Sequence, residues 1–170
     1  MPTLHVCPLS RLEDTVRDTG ARHIVTLLSA SSGVIRPASV PTEQHFTLIA
    51  SDITESMEGH ILANDDHVRR LIAFIKAWDR ETPLVIHCYA GISRSTAAAY
   101  IAASVLNPAL DEEHLAKRLR ASSPSATPNP RLIALADQIL QRDGRMIRAI
   151  ADIGRGAEAF EGTPFELAYD

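Results

Sequence analysis

The chain has 170 residues, 45% of them hydrophobic, which is enough for one well-packed domain and too short for two comfortable ones. A formal net charge of −4 leaves no basic field for a nucleic-acid or anionic-membrane partner, so any positive charge that a site needs must be local. The start, MPTLHVCPLS, has no basic region followed by an apolar one, no apolar run approaches membrane-spanning length, and the only cysteines are Cys7 and Cys88; the expectation is a cytoplasmic protein with free thiols and no disulfide scaffold.

Strand-type and helix-type patterns alternate along the chain. Thr3–Cys7 reads as a short strand and Pro8–Thr19 as a helix, with Ser10 as cap, Leu12 and Val16 four apart, and Gly20 as terminator. RHIVTLL, Arg22–Leu28, is rich in β-branched and aliphatic residues. Serines, Gly33, Pro37 and Pro41 make Ser29–Gln44 a surface loop before the next strand, His45–Ile49. Asn64 offers a helix cap with Asp65 and Asp66 in the first turn, and Val68, Leu71, Ile72, Ile75 and Trp78 repeat at helical spacing. Pro83–His87 lacks polar alternation, as a central strand covered on both faces does, and Ser95–Leu106 reads as a helix. Asp111–Ala121, Pro130–Arg142 and Arg145–Ala159 have helical spacing, separated by SSPSATPN and by Asp143-Gly144. This order predicts an α/β three-layer sandwich around a central, mostly parallel sheet.

The stretch that carries chemistry is PLVIHCYAGISRSTAAAYIAASVL, Pro83 to Leu106. In an open α/β sheet ligands sit beyond the carboxyl ends of the strands, and Cys88 occupies that edge. A helix begins just after it, so the loop from Cys88 to Arg94 wraps unpartnered amides and the positive end of a dipole. Gly91 lets the backbone come close, and the planar Arg94 guanidinium can hold two oxygens of a phosphate while the loop amides of Tyr89, Ala90, Gly91, Ile92 and Ser93 hold the others. Such surroundings favour a Cys88 thiolate, which makes a nucleophile at the floor of a phosphate cradle. A nucleotide-binding loop of the Gly-x-x-x-x-Gly-Lys-Ser/Thr type fits less well, since the segment has one glycine and no lysine.

HCYAGISRST resembles the His-Cys-x5-Arg-Ser/Thr signature of the cysteine-dependent protein tyrosine phosphatases, and its Ala-Gly-x-Ser-Arg-Ser form is most similar to the dual-specificity branch. Rhodanese-like sulfurtransferases have a cysteine loop one residue shorter. The resemblance covers Thr3 to about Leu140 and includes TPNPRLIALADQIL, similar to the Pro-Asn segment and following helix of dual-specificity enzymes; the last thirty residues have no assigned counterpart. It implies a compact dual-specificity phosphatase-like fold, with residues 1–143 as phosphatase domain and 144–170 as a C-terminal helix and tail of the same single domain. It also implies roles. Cys88 attacks phosphorus to give a phosphocysteine, Arg94 and the loop amides hold the equatorial oxygens, His87 orients the loop, and Ser95 hydrogen-bonds the sulfur as it leaves. The general acid belongs after the strand that precedes the helix leading into the signature strand, where Asp52 in LIASDITES is the first carboxylate. Glu55, Glu58, Asp65 and Asp66 compete, the last two being better explained as helix-start residues.

The implied activity is metal-independent and cofactor-free hydrolysis of phosphomonoesters, on phosphotyrosine and on phosphoserine or phosphothreonine proteins or a small phosphomonoester. The rival is a pseudophosphatase, a phosphate-binding module without turnover. The absence of lysine from the loop disfavours polyphosphoinositides, and Tyr89 would shape the rim. Several residues have ordinary readings beside functional ones: Cys7 as a small core residue or a redox partner, His60 and His67 as scattered histidines without tight ligand spacing, Asn129 as helix cap or loop brace. In the tail, GRGAEAFEGTPFELAYD, Phe160 and Phe165 either dock on the surface and tie the end down, or the acidic segment lies near the cradle and modulates access by charge.

Overall fold

The computed structural model describes residues 2–170. Four apolar runs become parallel strands, β1 (Leu4–Pro8), β2 (His23–Leu28), β3 (His45–Ile49) and β4 (Leu84–Cys88), and a three-residue strand, β5 (Phe165–Leu167), joins them from the C-terminal end. The order across the sheet is β3-β2-β4-β1-β5. Ile86 of β4 faces Val25 on one side and Val6 on the other, while β5 runs antiparallel to β1 with Leu167 beside Leu4. Every residue of β4 is buried, which accounts for its lack of polar alternation.

The two faces of the sheet are covered unequally. On one, Leu4, Val6, Val25, Leu27, Ile86 and Cys88 pack in a single cluster with α2 (Asp65–Ala77), α3 (Arg94–Leu106), α4 (Glu112–Ser122), α5 (Pro130–Ile139) and α6 (Arg145–Ile153). On the other, Cys7, Ile24 and Val85 meet Leu12 and Val16 of α1 (Leu12–Thr19) and Val40 of the loop between β2 and β3. The result is the expected α/β sandwich with a mostly parallel sheet. Because side chains alternate along a strand, Cys7 and Cys88 lie in different layers. Nearly all of α3 is buried, and its alanines let it lie close against the sheet and the surrounding helices. Among the described residues no helix is long and apolar enough to cross a membrane.

Departures from the sequence reading have local causes. Leu9–Arg11 forms a short 3-10 turn and α1 starts only at Leu12, so Ser10 is no cap; its hydroxyl instead donates to Glu161 at 2.8 Å. The helix expected to reach Arg142 stops at Ile139, because Arg142 turns inward to the buried Glu112 carboxylate (2.7 Å) and the Ser104 carbonyl (3.1 Å). That turn holds Gln141 and Asp143 at φ of 55° and 52°. The helix expected to reach Ala159 stops at Ile153, where the Arg120 guanidinium takes the Ile153 and Gly154 carbonyls at 2.8 and 2.9 Å. Beyond it the chain runs back across the molecule as a strap and ends in β5, which periodicity does not reveal in three residues. Phe165 packs against the core and Tyr169 donates to the Pro2 carbonyl at 3.0 Å, but Phe160 does not dock: it is 92% exposed.

Candidate active site

The loop from Cys88 to Arg94 leaves the carboxyl end of β4 and enters α3 one residue earlier than expected. Its carbonyls are held on the outside. Tyr89 O accepts from Leu9 N (3.1 Å), Ala90 O from Gly162 N (2.7 Å), Ile92 O from Thr127 N (2.9 Å), and Ser93 O from Ala97 N and Asn129 N (3.1 and 3.2 Å). In a trans peptide unit the N–H points opposite the C=O, so the amides of Ala90, Gly91, Ser93 and Arg94 turn toward the interior of the loop. Gly91 N–H donates to Cys88 Sγ at 3.2 Å. No side chain fits at Gly91, which has φ of 70° and where a Cβ would stand 2.7 Å from Pro8 N.

Cys88, His87 and Ser95 are all buried, and Cys88 Sγ lies 3.0 Å from Ser95 Oγ. With the sulfur ionised, the Ser95 hydroxyl is the donor of that pair. Arg94 is anchored through Nη1 alone, to Ser29 Oγ at 3.1 Å and the Ala50 carbonyl at 3.0 Å. Its Nε is buried and has no hydrogen-bond partner among the described residues. A buried donor left unpaired is costly, and the free Nε edge of a guanidinium is the edge that grips two oxygens of a tetrahedral anion. Amides and Arg94 thus make a concave donor surface with a sulfur at its base.

Asp52 follows β3 and is brought against the loop from 41 residues away: its Oδ1 accepts from Ser93 Oγ at 2.7 Å. Asn129 Nδ2 donates to the same oxygen at 2.8 Å and to Ile53 O at 3.3 Å, while Asn129 Oδ1 caps α5 by accepting from Leu132 N at 3.1 Å. One side chain therefore serves as both brace and cap. Both contacts to Asp52 fall on Oδ1, and among the described residues no hydrogen bond is made to Oδ2. Glu55 and Glu58 are exposed on the following loop, and Asp65 and Asp66 occupy the first turn of α2, capped by Asn64. Tyr89 stands exposed at the rim, and a groove of about 880 Å³ runs from Asp52, Ile92 and Ser93 past Pro128 and Ile150 to Phe160.

Behind the loop runs a hydrogen-bonded chain that the sequence did not reveal. His87 Nδ1 lies 3.3 Å from the Cys88 carbonyl, His87 Nε2 is 2.7 Å from Thr26 Oγ1, and Thr26 Oγ1 is 2.7 Å from His45 Nε2. Proton counting fixes its direction. A carbonyl only accepts, so Nδ1 of a neutral His87 carries the proton; its bare Nε2 accepts from Thr26, whose oxygen then accepts from His45 Nε2–H. Burial pushes His87 down to about 4 from the ordinary 6.5, so the ring is neutral and this direction holds near neutral pH.

The sign of the linked stability follows. Above pH 6.5 both folded and unfolded chains keep His87 neutral, and as pH falls toward 4 the unfolded chain takes up the proton first. Stability is therefore lost across that window, by on the order of 3 kcal/mol. Burial lowers His5, His23 and His45 in the same direction. Urea unfolding at pH 7 and pH 4 should show the loss in the native protein, and His87→Asn should remove a large part of the slope.

No family model matches the chain, and no curated protein matches it either. Solved structures do. The crystal structure of DUSP15 superposes with a TM-score of 0.66 at 18% identity, covering 93% of this chain and 96% of that one. The fold is that of the dual-specificity phosphatases. The PTP-2 phosphatase of Cydia pomonella matches with a TM-score of 0.63 at 20% identity, over 79% of this chain and 84% of that one. Human DUSP28 matches with 0.60 at 18% identity, over 84% and 96%. Thr26 and His45 are not visible as a pair in the sequence because they meet across neighbouring strands, and Ser29 because it meets Arg94 only where the end of β2 reaches the start of α3. A threonine within the aliphatic stretch 24–28 of β2 was the available signal for the chain.

Proposed function

We propose that this protein is a phosphomonoester hydrolase that works through a phosphocysteine, acting on phosphotyrosine and on phosphoserine or phosphothreonine in polypeptides. The observation that carries the reading is the unpaired, buried Arg94 Nε beside a loop whose amides turn in over Cys88 Sγ. This donor set matches the three equatorial oxygens of a phosphoryl group in flight. The Cys88 thiolate attacks phosphorus, the bond to the ester oxygen breaks, and Asp52 gives its proton to that oxygen. In the second half Asp52, now a carboxylate, takes a proton from water as the water oxygen attacks the phosphocysteine. The P–S bond breaks and the electron pair returns to sulfur, where the Ser95 hydroxyl and the Gly91 amide receive it. His87 holds the Cys88 carbonyl. The polypeptide flanking the phosphorylated residue lies along the groove that ends at Phe160.

Hydrolysis of an aryl phosphate in the presence of a chelator tests the proposal. The expected result is turnover unchanged by the chelator, with competitive inhibition by inorganic phosphate. Phosphate or phosphopeptide binding without any turnover would instead favour a binding module.

A further inference from the structure

At Gly162 the C-terminal strap comes very close to the catalytic loop. Gly162 N–H donates to the Ala90 carbonyl at 2.7 Å, and a Cβ on Gly162 would stand 2.6 Å from the Gly91 carbonyl oxygen. Gly91 in turn leaves no room for a side chain against Pro8. The peptide units on either side of Gly91 are thus clamped between the N-terminal segment and the strap. The strap is held in register on both sides of this contact. Upstream, Gly156 N donates to Thr127 Oγ1 (3.1 Å) and Ala157 N to Pro124 O (2.8 Å). Next to Gly162, Glu161 accepts from Ser10 at 2.8 Å; downstream, β5 is zipped to β1.

From this geometry we infer that Gly162 is a positioning residue for the phosphate cradle, and that the C-terminal strap is a working part of the site rather than a fastened end. The inference rests on the cradle reading of the loop. Fixing the Ala90 carbonyl outward fixes the other end of the same peptide unit, the Gly91 N–H, inward. That amide is the one 3.2 Å from Cys88 Sγ. The Gly162 contact therefore governs two things together, the donor that stabilises ionised sulfur and the alignment of the loop amides on oxygen. A contact that only tied down the tail would govern neither.

Gly162→Ala is the direct test, because one methyl group must push the Gly91 carbonyl away while β5 and the upstream fastenings stay intact. Three readouts are taken with a thermal melt: alkylation of Cys88 by iodoacetamide at pH 6, located by peptide mass, the inhibition or dissociation constant of inorganic phosphate, and turnover of an aryl phosphate. The expected result is a folded protein in which alkylation slows, phosphate binding weakens, and kcat/KM falls about tenfold, less than for deleting a donor outright. Ser10→Ala and Glu161→Ala release the neighbouring clasp and should move the same readouts in the same direction by a smaller factor. If Gly162→Ala does not fold, these two variants decide. Wild-type alkylation, phosphate binding and turnover in the folded variants would overturn the inference. Alkylation and phosphate binding need no turnover, so a wild-type protein without hydrolysis whose Gly162→Ala form still shows both shifts supports the positioning role and removes only the hydrolase reading.

Discussion

Cys88→Ser is expected to abolish hydrolysis, by at least about ten-thousandfold, while phosphate still binds. The hydroxyl occupies the space of the thiol, so Gly91 N–H and Ser95 Oγ keep a partner in place of the sulfur they now approach at 3.2 and 3.0 Å. What disappears is ionisation, since a hydroxyl is far less acidic than a thiol and only the anion attacks phosphorus. Arg94 is untouched, with its anchors to Ser29 and Ala50 intact, and removing a negative charge from the floor of the cradle does not weaken an anion's affinity. The other thiol offers no bypass. Cys7 lies in the α1 layer, and burial pushes it up to about 12. Steady-state rates and equilibrium binding of phosphate check both halves. Substantial turnover by purified Cys88→Ser protein would remove Cys88 as nucleophile.

What was legible in the sequence was local chemistry. The sheet was readable because β2 and β4 are dominated by aliphatic residues, and the helical face of α2 because Val68, Leu71, Ile72 and Ile75 recur at 3.6-residue spacing and are all buried. The loop was readable because its strand, its glycine, its arginine and its helix start lie within a dozen residues. Placing Asp52 against Ser93 was within reach only through resemblance, since strand pairing and an asparagine 77 residues away bring it there. The His45–Thr26–His87 chain and the strap were not legible. Each is made of ordinary residue types whose meaning comes from a partner 19 to 151 positions distant. The tail differs most plainly: its aromatics stand out in the sequence, yet Phe160 stays in solvent, while the close contact to the loop belongs to Gly162, which has no side chain.

Asp52→Asn should cost about a hundredfold in kcat on an alkyl phosphate and much less on an aryl phosphate. The difference arises because an alkoxide is a poor leaving group that needs its proton in the transition state, while an activated phenolate leaves almost unaided. Structure should survive the change. Both hydrogen bonds to Asp52 fall on Oδ1, so an asparagine whose oxygen takes that position keeps Ser93 and Asn129 satisfied and puts its amide where the proton-carrying Oδ2 stood. The reaction uses Cys88 as thiolate and Asp52 as proton donor, so kcat/KM should rise and then fall with pH. Removing the acid should remove the fall and flatten the basic limb. A basic limb and an alkyl phosphate rate that both survive the substitution would move the role to Glu55 or Glu58, which lie on the same exposed loop and would then have to close over the cradle when substrate binds.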